Sequence, residues 1–255
     1  MAMFKLHNVN FQYGSKIVLK NISFSVEPGS FYGIIGPNGS GKTTLLNVML
    51  GYLKASSGQV EFNHKNILAY RIEDLARYVA IVPQNVEIKF PYTCLEVVMM
   101  GRMPFKSRLK DLPPRDMDII YRCLELTDTL QFADCLITEV SGGEKQRVIF
   151  AKALAQSPQV LFLDEAFSNM DIYHSVKLLK LLKKLVANEG LTVISIMHDL
   201  NFVKAFCHSV IMLKKGGLVD IGEVEVAMKP EKIFSLFKIR VAEAGKNGLA
   251  VLPEL

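Results

Sequence analysis

The chain has 255 residues, 50% of them hydrophobic and 22% charged, enough for one large globular domain or a domain with a subdomain. The net charge of +5 comes from scattered Lys and Arg, with no basic run longer than the pairs Lys183-Lys184 and Lys214-Lys215, so there is no nucleic-acid footprint. Mean hydropathy is +0.23, yet the longest apolar runs are strand-sized, far short of the roughly 18 residues of a membrane helix.

From Met1 onward, Lys5 and His7 interrupt the first apolar segment, so no signal peptide is expected. Phe4 to Val9 and Ile17 to Val26 alternate apolar with polar residues around a turn at Tyr13-Gly14-Ser15, the pattern of antiparallel strands with one buried face. Phe31 to Ile35 is a short apolar strand. It runs into the glycine-rich Gly36 to Gly41, and Leu45, Leu46, Met49 and Leu50 then give Thr43 to Leu50 a helical spacing. Val79 to Val82, Val160 to Leu163 and Leu191 to Met197 are compact apolar strands, as in a parallel sheet buried on both faces.

Between Gln84 and Val140 the character changes. Thr93 to Gly101 and Arg115 to Leu126 read as helices, with Pro104, Pro113 and Pro114 as breaks, and we expect an inserted helical subdomain there. Ile172 to Ala187 places Val176, Leu179, Leu182, Leu185 and Val186 on one helical face, to be packed on a sheet. Two short strands end near Ile221. A helix is expected at Pro230 to Phe237, with no length left for a further domain. The four cysteines, Cys94, Cys123, Cys135 and Cys207, lie far apart without metal-ligand spacing and read as reduced core thiols of a cytoplasmic protein.

Three segments carry chemistry. Gly36-Pro37-Asn38-Gly39-Ser40-Gly41-Lys42-Thr43 fits G-x-x-x-x-G-K-[ST], a loop whose successive backbone N–H groups wrap the β-phosphate of a nucleotide at a helix N-terminus. Lys42 supplies charge to the β- and γ-phosphates, and the Thr43 hydroxyl is placed for Mg2+. A chance match in a chain of this size is expected about once in 100. Val160 to Leu163 ends in Asp164-Glu165, and the carboxyl end of a parallel strand opens on the ligand crevice. Asp164 suits Mg2+ through a water, and Glu165 is placed to polarise an attacking water. Ser141-Gly142-Gly143-Glu144 opens a helix with a capping box, whose two glycines leave N–H groups bare for a phosphate.

These motifs, in this order, resemble the nucleotide-binding subunit of an ATP-binding cassette (ABC) transporter over nearly the whole chain. The resemblance implies an α/β fold: a P-loop NTPase core with a parallel sheet (about 1–86 and 158–221), an N-terminal antiparallel β layer, a helical subdomain (about 87–157) and a tail (222–255). Val140 to Glu144 stands at the signature peptide, Asp164 and Glu165 at the Walker B strand, and Ser168-Asn169-Met170-Asp171 at the D-loop. By the same likeness Tyr13 stacks on adenine, Gln84 is the Q-loop residue that reaches the metal, His198 is the switch histidine at the γ-phosphate, and Thr44 joins the nucleotide-binding set. ATP and Mg2+ are the implied ligands. Ser141, Gly142, Gly143 and Glu144 would contact the ATP of a second copy in a head-to-tail dimer, so hydrolysis by Glu165 and His198 would need both copies.

Three positions depart from the family pattern: Val140 for Leu, Glu144 for Gln, and Ala166 for the Pro after the catalytic Glu. A carboxylate at Glu144 would repel the γ-phosphate unless it turns back into the capping box, and we expect that it does. Thr93-Cys94-Leu95-Glu96 is a second capping box. The stretch Thr93 to Pro104, ending Gly101-Arg102-Met103-Pro104, resembles a segment of importers for iron-siderophore complexes, haem and cobalamin, as does the tail from Gly222 to Pro253. That likeness implies membrane permease subunits, indirectly an external substrate-binding protein, and a peripheral place on the cytoplasmic face of the cell membrane. Metal and oxyanion importers share part of it. A soluble ABC ATPase of iron–sulfur cluster assembly is the competing class; the coiled coils of DNA-repair types and the double cassette of translation factors are missing from the sequence.

Overall fold

The computed structural model describes residues 2–105, 112–245 and 248–252; Met1 and the end of the tail segment at Pro253 lie outside the described residues. In chain order the elements are β1 (Phe4–Tyr13), β2 (Lys16–Val26), β3 (Phe31–Ile35), α1 (Lys42–Met49), β4 (Ser57–Phe62), β5 (Lys65–Asn66), α2 (Ile72–Leu75), β6 (Val79–Val82), α3 (Cys94–Met99), α4 (Pro114–Leu126), α5 (Gly142–Ala155), β7 (Val160–Asp164), α6 (Ile172–Glu189), β8 (Thr192–Ile196), α7 (Leu200–Phe206), β9 (Ser209–Lys214), β10 (Gly217–Glu223), α8 (Val224–Ala227), α9 (Pro230–Phe237), β11 (Arg240–Ala244) and β12 (Gly248–Leu252). They divide into two compact units, Met1–Tyr70 with Val186–Leu255, and Arg71–Leu185.

The first unit holds an antiparallel sheet in the order β2-β1-β4-β5. Strand β1 is longer than the expected Phe4 to Val9. Three ladder irregularities, between Leu6 and Val9, Val9 and Phe11, and Phe11 and Gln12, interrupt the alternation that sequence reading relies on. A second sheet of this unit runs β10-β9-β3-β8. Here β3 pairs in parallel with both β8 and β9, and every residue of β3 and β8 is buried. That explains their mainly apolar runs, with only the small Thr192 and Ser195 as buried polar residues in β8, since a parallel strand covered on both faces has no polar side to show. The hairpin β11–β12 is antiparallel in register and was not expected, because Ala242 to Ala244 and Gly248 to Ala250 carry little strand propensity.

The second unit sets β6 in parallel with β7, Val79 opposite Val160 through Val82 opposite Leu163. Around them lie α3, α4 and α5. Thr93 caps α3 with a full capping box, the Glu96 carboxylate accepting from the Thr93 N–H at 2.7 Å and Thr93 Oγ1 from the Glu96 N–H at 3.1 Å. The expected break at Pro104 is instead a change of helix type. The chain continues as a 3-10 helix over Met100–Phe105 with Pro104 inside it, because the missing N–H ends the α-type ladder without forcing the chain away. Arg102 fixes this turn: its guanidinium meets Asp116 at 2.8 Å, both side chains 8% exposed, donates to Ala155 O at 2.9 Å and lies over the Phe105 ring at 4.1 Å. Gly101 is there because a Cβ would come within 2.2 Å of Lys152 O.

Helix α6 buries Ser175, Leu178, Leu179, Leu182 and Val186, while Val176 and Leu185 are half-buried. The buried stripe is turned slightly from the expected one, with the small Ser175 tolerated inside because its Oγ donates to Asp171 O at 2.9 Å. All four cysteines are free thiols, three buried and Cys135 half-buried. Burial pushes the Cys94 thiol up to about 11, which keeps it protonated at neutral pH. No helix among the described residues is long and apolar enough to cross a membrane.

Candidate functional site

The phosphate loop in the first unit leaves the end of β3 and enters α1. Three of its glycines are in left-handed or extreme conformations: φ is 157° at Gly36, 73° at Gly39 and 100° at Gly41. A Cβ at Gly36 would sit 2.1 Å from Leu213 O, and one at Gly41 2.9 Å from Leu19 Cδ2, so side chains are excluded at both by neighbouring strands and not only by a future ligand. At Gly39 a Cβ would meet nothing within 4 Å; this is where the loop is open. Gly41 is the N-cap of α1, with no side-chain cap bond and no acidic residue in the first turn, which leaves the positive end of the helix dipole for an anion.

Lys42 is buried and its Nζ donates to Gly36 O at 3.0 Å and Pro37 O at 3.3 Å, spanning the loop from inside. Ser40 Oγ is buried without a hydrogen-bond partner among the described residues. An orphaned hydroxyl costs about 1–3 kcal/mol, and a phosphate oxygen in the loop would satisfy it, so the loop fits the phosphates of a nucleotide. Pro37, Asn38 and Thr44 complete the loop and first turn, and Thr43 is exposed, open to a metal ion.

A residue not singled out in the sequence supports the loop from behind. Gly216, in the turn between β9 and β10, donates its N–H to Ser40 O at 3.1 Å and accepts from the Lys20 N–H at 2.8 Å. Its φ is 81° and a Cβ would lie 2.3 Å from Val18 O. The pair Gly216-Gly217 is the only sequence signal, and it reads as an ordinary turn.

His198 reaches the same edge of this unit through sheet register. Ile34 is opposite Ile196 and the Met197 N–H donates to Ile34 O at 3.2 Å, so the strands leading to Gly36 and to His198 end side by side. His198 is exposed, and Asp199 then caps α7. Tyr13 closes β1 opposite Lys16. Its ring is 53% exposed and edge-on to Phe11 at 4.8 Å, and the next strand, β2, brings Val18 and Leu19 against Gly41.

In the second unit the register of β6 and β7 does for Gln84 and Glu165 what β3 and β8 do for the loop and His198. Both residues follow the carboxyl ends of adjacent parallel strands, and Gln84 Nε2 donates to Glu165 Oε2 at 2.7 Å. Glu165 has φ 49°, a left-handed backbone rare for a non-glycine residue. The Ser168 N–H and Oγ hold it by donating to Glu165 O at 3.1 and 2.9 Å. Asp164, the last residue of β7, is half-buried.

Ser141, Gly142, Gly143 and Glu144 begin α5. The Glu144 carboxylate turns back and accepts from the Ser141 N–H at 2.8 Å, and Ser141 Oγ accepts from the Glu144 N–H at 3.4 Å. Bonds to the Ser141 side chain and backbone hold the Glu144 carboxyl below its ordinary value. A Cβ at Gly142 would meet nothing within 4 Å, and one at Gly143 only Asn169 O at 3.5 Å, so this face of the helix start is open.

Two further residues tie the pieces of this unit together: Gln146 Nε2 donates to Pro83 O at 3.1 Å, and Asn169 Nδ2 to Asn85 Oδ1 at 3.1 Å. Gln146 stands two residues after Glu144, where its place behind the signature peptide could have marked it; Asn169 lies in the stretch already matched to the D-loop, but nothing in that match pointed to Asn85. Asp171 accepts from the His174 N–H at 2.9 Å and from its ring at 3.0 Å, and that backbone bond is the first cause holding its carboxyl low.

A glycine-built phosphate loop between a parallel strand and a helix, with acidic residues ending another parallel strand, defines a P-loop nucleoside-triphosphate-binding protein. Residues 19–168 match the family model described as ABC transporter. The chain belongs to the ABC transporter family of ATP-binding proteins. It is 37% identical over 234 residues to the ABC transporter ATP-binding protein YvrA of Bacillus subtilis, covering 91% of this chain and 53% of that protein, so it spans about half of that relative's length. It is 36% identical over 227 residues to the iron(3+)-hydroxamate import ATP-binding protein FhuC of Bacillus subtilis, covering 89% of this chain and 84% of the relative. Among solved structures, the dimeric post-hydrolysis state of the ATP-binding cassette MJ0796 bound to ADP and Pi aligns with a TM-score of 0.76 at 30% identity, covering 87% of this chain and 99% of that one. The parallel sheet and the antiparallel β layer are those of an ABC ATPase cassette.

Proposed function

We infer that the chain is the ATP-hydrolysing subunit of an ABC importer, driving uptake through a separate membrane permease at the cytoplasmic face of the membrane. The observation that carries this reading is the Gln84–Glu165 hydrogen bond at the ends of two adjacent parallel strands. It joins a carboxylate suited to polarising water to the amide of a loop that can sense a ligand.

In this reading the N–H groups of Gly36 to Thr43 and the Ser40 hydroxyl take the β- and γ-phosphates, with Lys42 exchanging loop carbonyls for phosphate oxygens. Tyr13 stacks on the adenine. Thr43 and Gln84, with Asp164 through a water, would hold Mg2+, which would supply charge neutralisation to the phosphates. Glu165 accepts a hydrogen bond from the attacking water and orients it in line with the γ-phosphorus, and His198 donates toward the γ-phosphate. Ser141, Gly142 and Gly143 of a second copy complete the cage. Glu144 stays in its capping box, out of the way of the phosphate. Asp171 lies in the D-loop between the two copies.

The cargo class favoured is an iron-siderophore complex, haem or cobalamin. The support is the Thr93 to Pro104 segment, which forms the capped α3 and the Arg102-fixed turn, together with the likeness to the iron(3+)-hydroxamate import ATP-binding protein FhuC. The permease and an external substrate-binding protein would select it. The test is to purify the chain with its membrane partner and measure ATPase activity against candidate ligands. A permease complex stimulated by a metal chelate supports the importer; copurification with soluble proteins alone overturns it.

A further inference from the structure

We propose that the C-terminal hairpin β11–β12 positions the switch residue His198, through Asn201 and Lys204 of α7. The inference rests on the reading of the chain as an ATPase whose His198 acts at the γ-phosphate.

Helix α7 begins two residues after His198 and is only seven residues long, too short to hold its own place. Both of its ends are fixed by the hairpin. At the start, Asp199 Oδ1 accepts from the N–H groups of Asn201 at 2.8 Å and Phe202 at 3.2 Å. The Asn201 side chain then faces the hairpin, its Oδ1 accepting from the Leu249 N–H at 2.7 Å. In the last turn Lys204, with 4% of its side chain exposed, donates from Nζ to Glu243 at 3.4 Å.

Glu243 and Leu249 are cross-strand partners in the hairpin, so a single register pair supplies both anchors. Val203 and the C-cap Cys207 press the helix on β3: a Cβ on Gly33 would lie 3.1 Å from Cys207 Sγ and 3.3 Å from Val203 Cγ1. The helix is thus clamped between the strand that leads into the phosphate loop and the hairpin. From Leu249 the path to His198 runs through two hydrogen bonds and one peptide bond: Asn201 Oδ1, the Asn201 N–H, the Asp199 carboxylate and the Asp199 backbone. A shift of the hairpin therefore moves the residue beside the histidine. Both hairpin anchors lie on α7, beside His198, so the hairpin should affect the rate and leave nucleotide affinity alone.

The test is steady-state ATPase and nucleotide binding on the purified full chain. Asn201→Ala should lower kcat on the order of tenfold, as expected of a small misplacement of a catalytic group, with the Kd for ATP unchanged. Asn201→Asp keeps the acceptor oxygen and should restore most of the rate. In a His198→Ala background, Asn201→Ala should bring no further loss, because its effect passes through the histidine. Glu243 is exposed at 67% of its side chain, so Glu243→Ala carries the same test if Asn201→Ala does not fold, with a smaller fall in kcat. Wild-type kcat in these variants, a matching loss of ATP affinity, or an equal loss with and without His198 each overturns the proposal. A wild-type chain that binds ATP and never hydrolyses it, alone or with its permease, overturns instead the reading on which the proposal stands.

Discussion

Single residues of the site divide into those fixed by chemistry with the ligand and those fixed by their own neighbourhood, and the two classes predict different losses. Lys42 spans the phosphate loop from within, so Lys42→Ala should weaken ATP binding on the order of tenfold or more, read by titration with a fluorescent nucleotide, since a charge-assisted bond contributes roughly 1.5–3 kcal/mol. Glu165→Gln keeps the shape and the partner of Gln84 but removes the base. Its ATPase rate should fall on the order of 100-fold or more with nucleotide affinity retained. Glu144 is of the second class. Its carboxyl is held low by Ser141, so the ionised form stabilises the fold. That contribution is complete above the ordinary value of about 4.5 and is lost as pH falls through the lower, folded-state value. Glu144→Gln should accordingly flatten the acid limb of a Tm-versus-pH curve and leave ATP affinity within about twofold; a large loss of affinity with intact folding would put the side chain at the phosphate.

At the level of elements, the second unit depends on a few buried polar contacts that place helices. The Arg102–Asp116 pair joins the turn after α3 to α4, with Arg102 also reaching Ala155 O at the end of α5. Removing one member leaves a buried charge alone, so Arg102→Leu should cost about 3–5 kcal/mol in urea unfolding, and Arg102→Leu with Asp116→Leu together should cost less than the sum. Helices α3, α4 and α5 were legible from their caps, prolines and spacing, all local signals. The 3-10 turn through Pro104 was not, because Arg102 is held there by a salt bridge to Asp116 and a hydrogen bond to Ala155 O, partners elsewhere in the fold. The hairpin β11–β12 was equally hidden: its alanines and glycine have weak strand propensity, and its anchors, Asn201 and Lys204, are far from it in sequence. Two features that sequence reading missed, Gly216 behind Ser40 and Gln146 on Pro83 O, rest on bonds to distant backbone carbonyls or N–H groups, which no residue pattern announces.

For the whole molecule the expectation is that one chain holds two half-sites. Its ATPase rate should rise with more than the first power of chain concentration below the dimer Kd, and Glu165→Gln with ATP and Mg2+ should run as a dimer on gel filtration; a monomer under those conditions would sink the shared-site mechanism. By itself the sequence determined the phosphate loop, the acidic end of β7, the capping boxes of Thr93 and Ser141, and the ABC family. Each is a run of neighbouring residues whose spacing already fixes the local backbone. Only the tertiary structure decided which distant residues meet. Parallel register sets His198 beside the phosphate loop in one unit and Gln84 on Glu165, 81 residues away, in the other. It also decided that Gly36 and Gly216 have no room for a side chain, and that the hairpin β11–β12 is tied to the helix after His198. The physical reason is that strand pairing and close packing act between segments that no short window of sequence contains.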